Sequence, residues 1–571
     1  MVDPQYDETI QIMGLQAKDV VKLYKVLEWN GSAAADPGTT YGGWKFVSPF
    51  SGDALGMTDD ATAIEYIIGD PASTLQPVDP QLSSEIAGKL ARIPGENDNP
   101  VDTQTVTGTT YEYAIGEDGL GLYMALITPA DQNTVYNPIF ISSDFNKTNP
   151  SSSWTVTSDE TYWAPHAAKK STVSVNKEDN GGDADHNSYD DTWTSVRPGE
   201  TVDFTVTTTI PGYGSVYEEP KFTIHDKLSY MTLTGAPSVE PAEAAAGATI
   251  SVDEGDDEYT IDFDPDYLKT LTTALTVTIT YSAEIDENAP QNVNTKKNEV
   301  WIEYSHDPTN ETDYDVKKDG TNHYTFTIDA EALGGYTDEI QRSGAEIVKV
   351  GVDAHGNPIT DTEYWSDVDP GNGWQGPLEG AVFKLYTADG DGNITDTVYT
   401  SKGHTYDNIQ SDEYGKIRIE GLDAGTYYLV EDKAPSGYIK STEEIRIDIV
   451  PYFSEELETI TEYYQNGTWS FEEPKQGTYK TATYDIQLLD RYEVLFNGNQ
   501  IANYVFDHEG TTEIKVSDEG IVEIPTSINN TKGVELPATG GIGTTIFYVI
   551  GAILVLGAGI LLVTRRRMDI G

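Results

Sequence analysis

Few positions in this 571-residue chain combine the residue types and spacing that chemistry requires. Cysteine is absent, which excludes thiolate nucleophiles, thiolate metal sites and disulfide staples. The nearest two of the eight histidines, His306 and His323, stand 17 residues apart, so a helical His pair for zinc is absent. Gly371-Asn-Gly-Trp-Gln-Gly376 has the letters of a dinucleotide-binding turn, but Asp369-Pro370 before it and Pro377 after it forbid the strand–turn–helix the motif needs. Asp389-x-Asp391-x-Asn393 opens like a calcium loop, yet Ile394 and Thr400 occupy the positions that need Gly and a bidentate Glu, so it reads as a hairpin turn. The acidic runs Asp179 to Asp185 and Asp253 to Glu258 read as solvated loops, and no carboxylate spacing singles out a glycosidase pair. No metal, cofactor or turnover enzyme is expected.

The elements that surround these positions are strand-like. Tyr numbers 36, and alternating runs such as Thr201-Val-Asp-Phe-Thr-Val-Thr-Thr-Thr, Leu275-Thr-Val-Thr-Ile-Thr-Tyr and Val300-Trp-Ile-Glu-Tyr have the period of a half-buried strand. Lys+Arg total 35 against 95 Asp+Glu, a net charge of −60 that excludes a nucleic-acid binder. A hydrophobic share of 37% still permits large cores. Four segments are expected: an N-terminal domain over residues 1–168, a middle β-sandwich over 169–335, a third strand-rich domain over 345–531, and a tail over 532–571. In the first, strands are expected at Val20 to Leu27, Tyr111 to Ile115 and Leu122 to Ile127. Short helices are expected at Asp60 to Ile68 and Ser83 to Ile93, where Ile86, Leu90 and Ile93 keep helical spacing.

The tail carries the most specific signal. Ile542 to Val563 is 22 residues without a charge, about 33 Å as a helix and enough to cross a bilayer core; Arg565-Arg566-Arg567 follows. Just upstream stands Leu536-Pro537-Ala538-Thr539-Gly540. The three parts in this order resemble the cell-wall sorting signal of Gram-positive surface proteins. The resemblance implies a transmembrane sorting helix and cleavage between Thr539 and Gly540 by a sortase, which holds the Thr539 carbonyl as a thioester until an amine resolves it. Met1-Val-Asp-Pro has no basic start and apolar run, so an export signal is expected to have been removed or to lie outside this numbering.

Leu378-Glu-Gly-Ala-Val-Phe-Lys-Leu-Tyr386 and Gly425-Thr-Tyr-Tyr-Leu-Val-Glu-Asp-Lys-Ala-Pro-Ser-Gly-Tyr438 resemble a CnaB-type domain of pilins and collagen adhesins. Phe222-Thr-Ile-His-Asp226 with Asn298-Glu-Val-Trp-Ile-Glu-Tyr-Ser305 is similar to the isopeptide-forming middle domain of backbone pilins. The implied fold is mainly β, with tandem Ig-like or CnaA-like and CnaB-like sandwiches. The implied chemistry is an amide formed once per chain between a lysine and an asparagine, assisted by a buried acid. Carried over by position, the third domain supplies Lys349, Asn530 and Glu431, and the middle domain Lys177, Asn298 and Asp226, with Lys170 and Asn294 as alternatives in a shifted register. Asn529 adjoins Asn530, and strand alternation sends the two to opposite faces.

These residue types suit the reaction. A lysine amine is a nucleophile only when neutral; burial lowers its pKa from about 10.4 while raising that of a neighbouring carboxyl. The neutral acid then polarises the Asn carbonyl and passes a proton to departing ammonia. Contact replaces a bimolecular encounter, worth an effective molarity of up to about 10⁵–10⁸ M. By loop-entropy arithmetic, each bond stabilises its domain by about 5 kcal/mol.

For polymerisation, the family uses a lysine near the end of the first domain, commonly in Tyr-Pro-Lys. Here Tyr162-Trp-Ala-Pro-His-Ala-Ala-Lys-Lys-Ser171 places His166 at that point, leaving Lys169 and Lys170 as the candidate linking amines. Load entering there would leave residues 1–168 outside the force path. The expectation is a cell-wall fimbrial shaft subunit. Its expected partners are pilin-class and housekeeping sortases, other copies of itself, accessory pilins, peptidoglycan, and a host glycan or protein as adhesion ligand. A non-polymerising wall-anchored adhesin or accessory pilin is the alternative.

Overall fold

The computed structural model describes residues 6–29, 44–68, 84–94, 98–131, 133–142, 144–146, 155–157, 166–167, 170–179, 193–253, 255, 257–289, 293, 296–326, 328, 347–359, 376–401, 404–412, 415–508, 510–513, 515–523, 526–533 and 542–568. The chain divides into two compact units. One holds Met1–Thr325 with Tyr452–Asp490 and Phe506–Lys515; the other holds Phe326–Pro451, Arg491–Val505 and Val516–Gly571.

The first unit is built around a β-sandwich. Thr201–Ile210 buries Val202, Phe204, Val206, Thr208 and Ile210, every second side chain, so only one register puts its apolar set inside. It pairs along its whole length with Leu275–Ile285, and on its other side with Val175–Asp179. The opposing sheet sets Phe222–Leu228 between Glu258–Phe263 and Lys296–Ser305, with Tyr314–Tyr324 beyond. Apolar side chains from both sheets, including Val206, Ile279, Ile224 and Ile302, form one core cluster.

The strands expected near the N-terminus are Val20–Trp29, Thr110–Gly116 and Gly121–Thr128, and the helices are Asp60–Ile68 and Ser84–Arg92. Part of this segment packs around its own cluster, with Ile10, Ile12, Val21 and Leu23. Its helices instead belong to the sandwich core. Ile86, Ala87, Leu90 and Ala91 join Val216 and Tyr217 in the same cluster. The approach is close enough that a Cβ on Gly88 would lie 2.0 Å from the Val216 carbonyl oxygen, so only glycine fits there. Arg92 Nη1 seals the contact, donating to Val216 O at 3.1 Å and to Glu311 at 3.3 Å. The N-terminal residues are therefore not a self-contained appendage to the sandwich.

Residues 452–490, expected within the third domain, group with this first unit. Glu458–Gln465, Thr468–Ser470 and Lys480–Ile486 make a three-stranded antiparallel sheet, with Lys480–Ile486 against Tyr314–Tyr324 of the sandwich. At the junction the buried Lys318 amine lies 2.8 Å from Glu299 Oε1 and 2.7 Å from Glu462 Oε1. Tyr484 donates to Glu462 at 2.7 Å, Tyr464 donates to Glu303 at 2.9 Å, and the Trp469 ring centroid is 4.9 Å from the Lys318 amine. Alternation told that these residues form strands; it carries no information on which sheet receives them.

In the second unit, Ile347–Val352 lies between Lys416–Ile417, antiparallel, and Thr526–Thr531, parallel. An eight-stranded sheet includes Val382–Ala388, Gly425–Lys433 and Glu444–Phe453. Asp389 to Asn393 is the turn after the first of these: Asp389 Oδ1 accepts from the backbone of Asp391 and Asn393 at 3.0 and 2.8 Å, which satisfies the carboxylate locally. The apolar tail is a helix, Ile542–Met568, whose described side chains are residues 549–561 and Arg565. Those described side chains are fewer than the roughly 20 residues that a crossing takes, so among the described residues no helix is long and apolar enough to cross a membrane.

Two outcomes follow from this packing. Glu462→Ala leaves the buried Lys318 with one carboxylate instead of two and should loosen the 452–490 sheet by about 3 kcal/mol, read as earlier proteolysis and faster amide exchange confined to that sheet. Lys296 is fully buried, which pulls its amine down to about 7. The unfolded chain keeps the ordinary 10.5, so this residue costs nothing above that pH. The cost grows as pH falls toward 7 and is constant below. Lys296→Met should accordingly raise the melting temperature most at pH 6 and hardly at all near pH 10.5.

Candidate functional site: two buried lysine–acid–asparagine clusters

In the sandwich, Lys177 projects from one sheet and Asp226 and Asn298 from the other. All three are buried, at 1%, 0% and 0% exposure. Lys177 Nζ lies 2.6 Å from Asp226 Oδ2 and donates to the Tyr281 hydroxyl at 2.5 Å. Asn298 Nδ2 donates to the same hydroxyl at 2.7 Å. Tyr281 in turn donates to Asp226 at 3.0 Å, as does Tyr259 at 2.9 Å. The rings of Tyr281 and Phe204 sit 5.2 and 5.5 Å from the amine, favouring a cation electrostatically but replacing the water that would solvate one. Burial lowers the Lys177 amine below the lysine range, against the opposing pull of Asp226.

The backbone around Lys177 is also held. Its amide donates to Asp319 Oδ2 at 2.7 Å, across to the opposite sheet. Burial pushes the Asp319 carboxyl up to about 6, against the opposing pull of the Lys177 and Gly320 amides that donate to it.

The second cluster uses a different framework. Lys349 and Asn530 are on neighbouring parallel strands of one sheet, with Lys349 opposite Ile528 and Asn530 opposite Gly351, so the two side chains share a face two positions apart. Glu431 reaches them from Gly425–Lys433 of the eight-stranded sheet. Its Oε1 is 3.1 Å from Lys349 Nζ and its Oε2 accepts from Asn530 Nδ2 at 2.8 Å. The Ser441 amide donates to the same Oε2 at 2.5 Å, and Asn530 Nδ2 also donates to Ile439 O at 2.8 Å. Gly351 leaves room for Tyr438, whose ring a Cβ there would meet at 2.7 Å. Burial lowers the Lys349 amine, with Glu431 opposing. Phe383 covers it at 5.3 Å.

In both clusters the amide carbonyl oxygen, Asn298 Oδ1 or Asn530 Oδ1, is buried without a hydrogen-bond partner. An unsatisfied acceptor of this kind is costly, and it is the atom on which charge develops when an amine attacks the amide carbon. Each arrangement therefore joins a desolvated amine, an acid within reach, and an amide with its oxygen free.

Asn529 is exposed beside buried Asn530, as alternation requires. Lys170 is exposed on the strand Lys170–Thr172, where it pairs with Tyr136. Lys169, Asn294 and the motif Leu536 to Gly540 lie outside the described residues. Sequence reasoning missed Tyr281, Tyr259 and Asp319. Tyr281 had a signal: it continues the inward series Val277, Ile279 of an alternating strand that also faces Lys177. In the N-terminal segment, Lys22 pairs with Asp98 and Lys25 donates to the Asp118 carbonyl, and neither meets an asparagine side chain in these contacts. Among the described residues no group of three or more His, Asp or Glu side chains is arranged to hold a metal.

Three family models match. Residues 371–462 match SpaA, a prealbumin-like fold domain; 528–569 match the LPXTG cell wall anchor motif; and 83–171 match the T6 antigen Ig like domain. Over 483 residues the chain is 24% identical to the trypsin-resistant surface T6 protein of Streptococcus pyogenes serotype M6, covering 79% of each. Among solved structures it is similar to the T6 backbone pilin of the same serotype, at TM-score 0.48 and 18% identity, covering 93% of this chain and 100% of that one. It is also similar to the major pilin SpaD of Corynebacterium diphtheriae, at TM-score 0.40 and 14% identity, covering 76% and 89%. With the anchor motif and the prealbumin-like domain falling on the residues read above, the chain carries the LPXTG signal of a sortase substrate anchored in a Gram-positive cell wall, and it is similar to backbone pilins.

Proposed function

We propose that this protein is the shaft subunit of a covalently polymerised pilus, stiffened by two internal lysine–asparagine amide bonds. The observation that carries the reading is the Lys349–Glu431–Asn530 cluster. It joins the first and last described strands of the second unit, and Asn530 lies only nine residues before Thr539. Tension arriving through a Thr539 linkage crosses at Asn530 to Lys349 and bypasses the chain between them. Lys177 and Asn298 repeat the arrangement in the sandwich, where the bond fastens one sheet to the other. The domain organisation that serves this is an N-terminal region, a sandwich, and a CnaB-type domain ahead of the tail.

The polymer linkage is assigned to Lys169 or Lys170, which precede the sandwich's first strand. A subunit joined there is loaded along the sandwich. Its binding partners are then the sortases that process the tail, neighbouring copies, and peptidoglycan at the base; accessory pilins and a host glycan or protein complete the expected set.

A blot of wall extracts should show a high-mass ladder that collapses when Lys169 or Lys170, whichever links, is replaced by Ala. A single band in the wild type would instead identify a solo wall-anchored adhesin. The intact mass of the purified ectodomain should fall short of the sequence mass by two ammonias, about 34 Da, since each amide exchange expels one. Asn530→Ala should restore about 17 Da of that deficit and lower stability by about 5 kcal/mol. An ectodomain at full sequence mass would refute the internal bonds.

A further inference from the structure

The two clusters solve the same proton-transfer problem with different side chains. In the second unit, one carboxyl spans the gap: Glu431 touches the Lys349 amine through one oxygen and the Asn530 amide nitrogen through the other, at 3.1 and 2.8 Å. In the sandwich the acid is Asp226, one methylene shorter. It meets the Lys177 amine at 2.6 Å, and the contact that reaches Asn298 Nδ2 belongs to Tyr281. The Tyr281 hydroxyl touches nucleophile, leaving nitrogen and acid at once, at 2.5, 2.7 and 3.0 Å. Tyr259 also donates to Asp226 and interacts with the Tyr281 hydroxyl, but neither the Lys177 nor the Asn298 nitrogen is among its described contacts.

We propose that Tyr281 is a catalytic residue of the sandwich crosslink, relaying the proton from Lys177 to the departing nitrogen of Asn298. This rests on the reading that Lys177 and Asn298 become joined. The neutral amine forms a bond to Asn298 Cγ, and the carbonyl electron pair moves onto Oδ1. The amide nitrogen, planar and without an available lone pair in the ground state, becomes tetrahedral and basic. Tyr281 then turns its O–H from Asp226 to Nδ2 and delivers that proton, while its oxygen takes one from the Lys177 nitrogen. The Cγ–Nδ2 bond breaks as the carbonyl reforms. Lysine amine plus asparagine amide give a secondary amide plus ammonia, and the hydroxyl is regenerated.

The surroundings suit a relay. Tyr281 is buried, and burial and Asp226 keep the phenol protonated far into the alkaline range. Its ring is fixed by stacking on Phe204 at 5.2 Å and by an edge contact with Tyr259 at 5.2 Å, so the oxygen is held between the two nitrogens. Asp226, accepting from both tyrosines and facing the amine, is left to manage charge on lysine.

The test is Tyr281→Phe in the ectodomain, which removes one oxygen and retains the ring contacts, with Tyr259→Phe as comparator. Intact mass and cross-linked-peptide mapping report each bond separately during incubation at 37 °C, and circular dichroism with protease resistance reports folding. Loss of a general acid–base group should slow the Lys177–Asn298 bond about 10²–10⁴-fold, so Y281F emerges with a deficit near 17 Da while the Lys349–Asn530 bond stays complete. Y259F should change the sandwich bond less than about tenfold. A folded Y281F protein fully crosslinked on isolation, or Y281F and Y259F slowed alike, overturns the relay. A wild-type protein lacking the Lys177–Asn298 peptide removes the crosslink itself, and the relay with it.

Discussion

A lysine amine without water is the constraint on which this architecture turns. An ammonium in an apolar interior is several kcal/mol out of balance unless paired, and a carboxylate beside it has the same difficulty. Moving one proton from amine to acid relieves both charges and leaves a nucleophile against an electrophile. On the proposed reading, the desolvation that makes Lys177 and Lys349 costly as structural residues also prepares them to react. The folded core must come first, because only it holds the three groups together without solvent.

If both proposed bonds form, this chemistry does not dictate one framework. In the sandwich the lysine and asparagine come from opposite sheets, so a bond between them would tie the layers through the core. In the second unit they come from adjacent strands of one sheet, and only the acid comes from elsewhere. The acid follows the geometry: a glutamate where one carboxyl must span both nitrogens, an aspartate where a tyrosine extends its reach.

Much of this was legible in the sequence because it is local. The alternation of Thr201–Ile210 and Leu275–Ile285 fixed which side chains face inward, and the same alternation separated Asn530 from Asn529. The tail and the Gly425–Tyr438 stretch carried their own signatures. What escaped depends on non-local placement. Tyr281 reads as one more inward aromatic until its hydroxyl is seen between two nitrogens. The strands of 452–490 look like part of the domain that encodes them on either side, yet they carry Glu462 to Lys318. Likewise, the N-terminal helices looked like a separate domain's decoration, while Gly88 and Arg92 join them to the sandwich core.

The parallel pairing of Ile347–Val352 with Thr526–Thr531 has a further consequence. A pull on the exit from residue 531 and an opposite pull on the entry to residue 347 act at opposite ends of the two strands. Their ladder is thus loaded lengthwise, in shear, with every rung strained together; an antiparallel pair gripped at one end would unzip rung by rung. Even before any covalent rivet sets between them, the geometry of these strands resists sliding in the direction that a stretched fibre would impose.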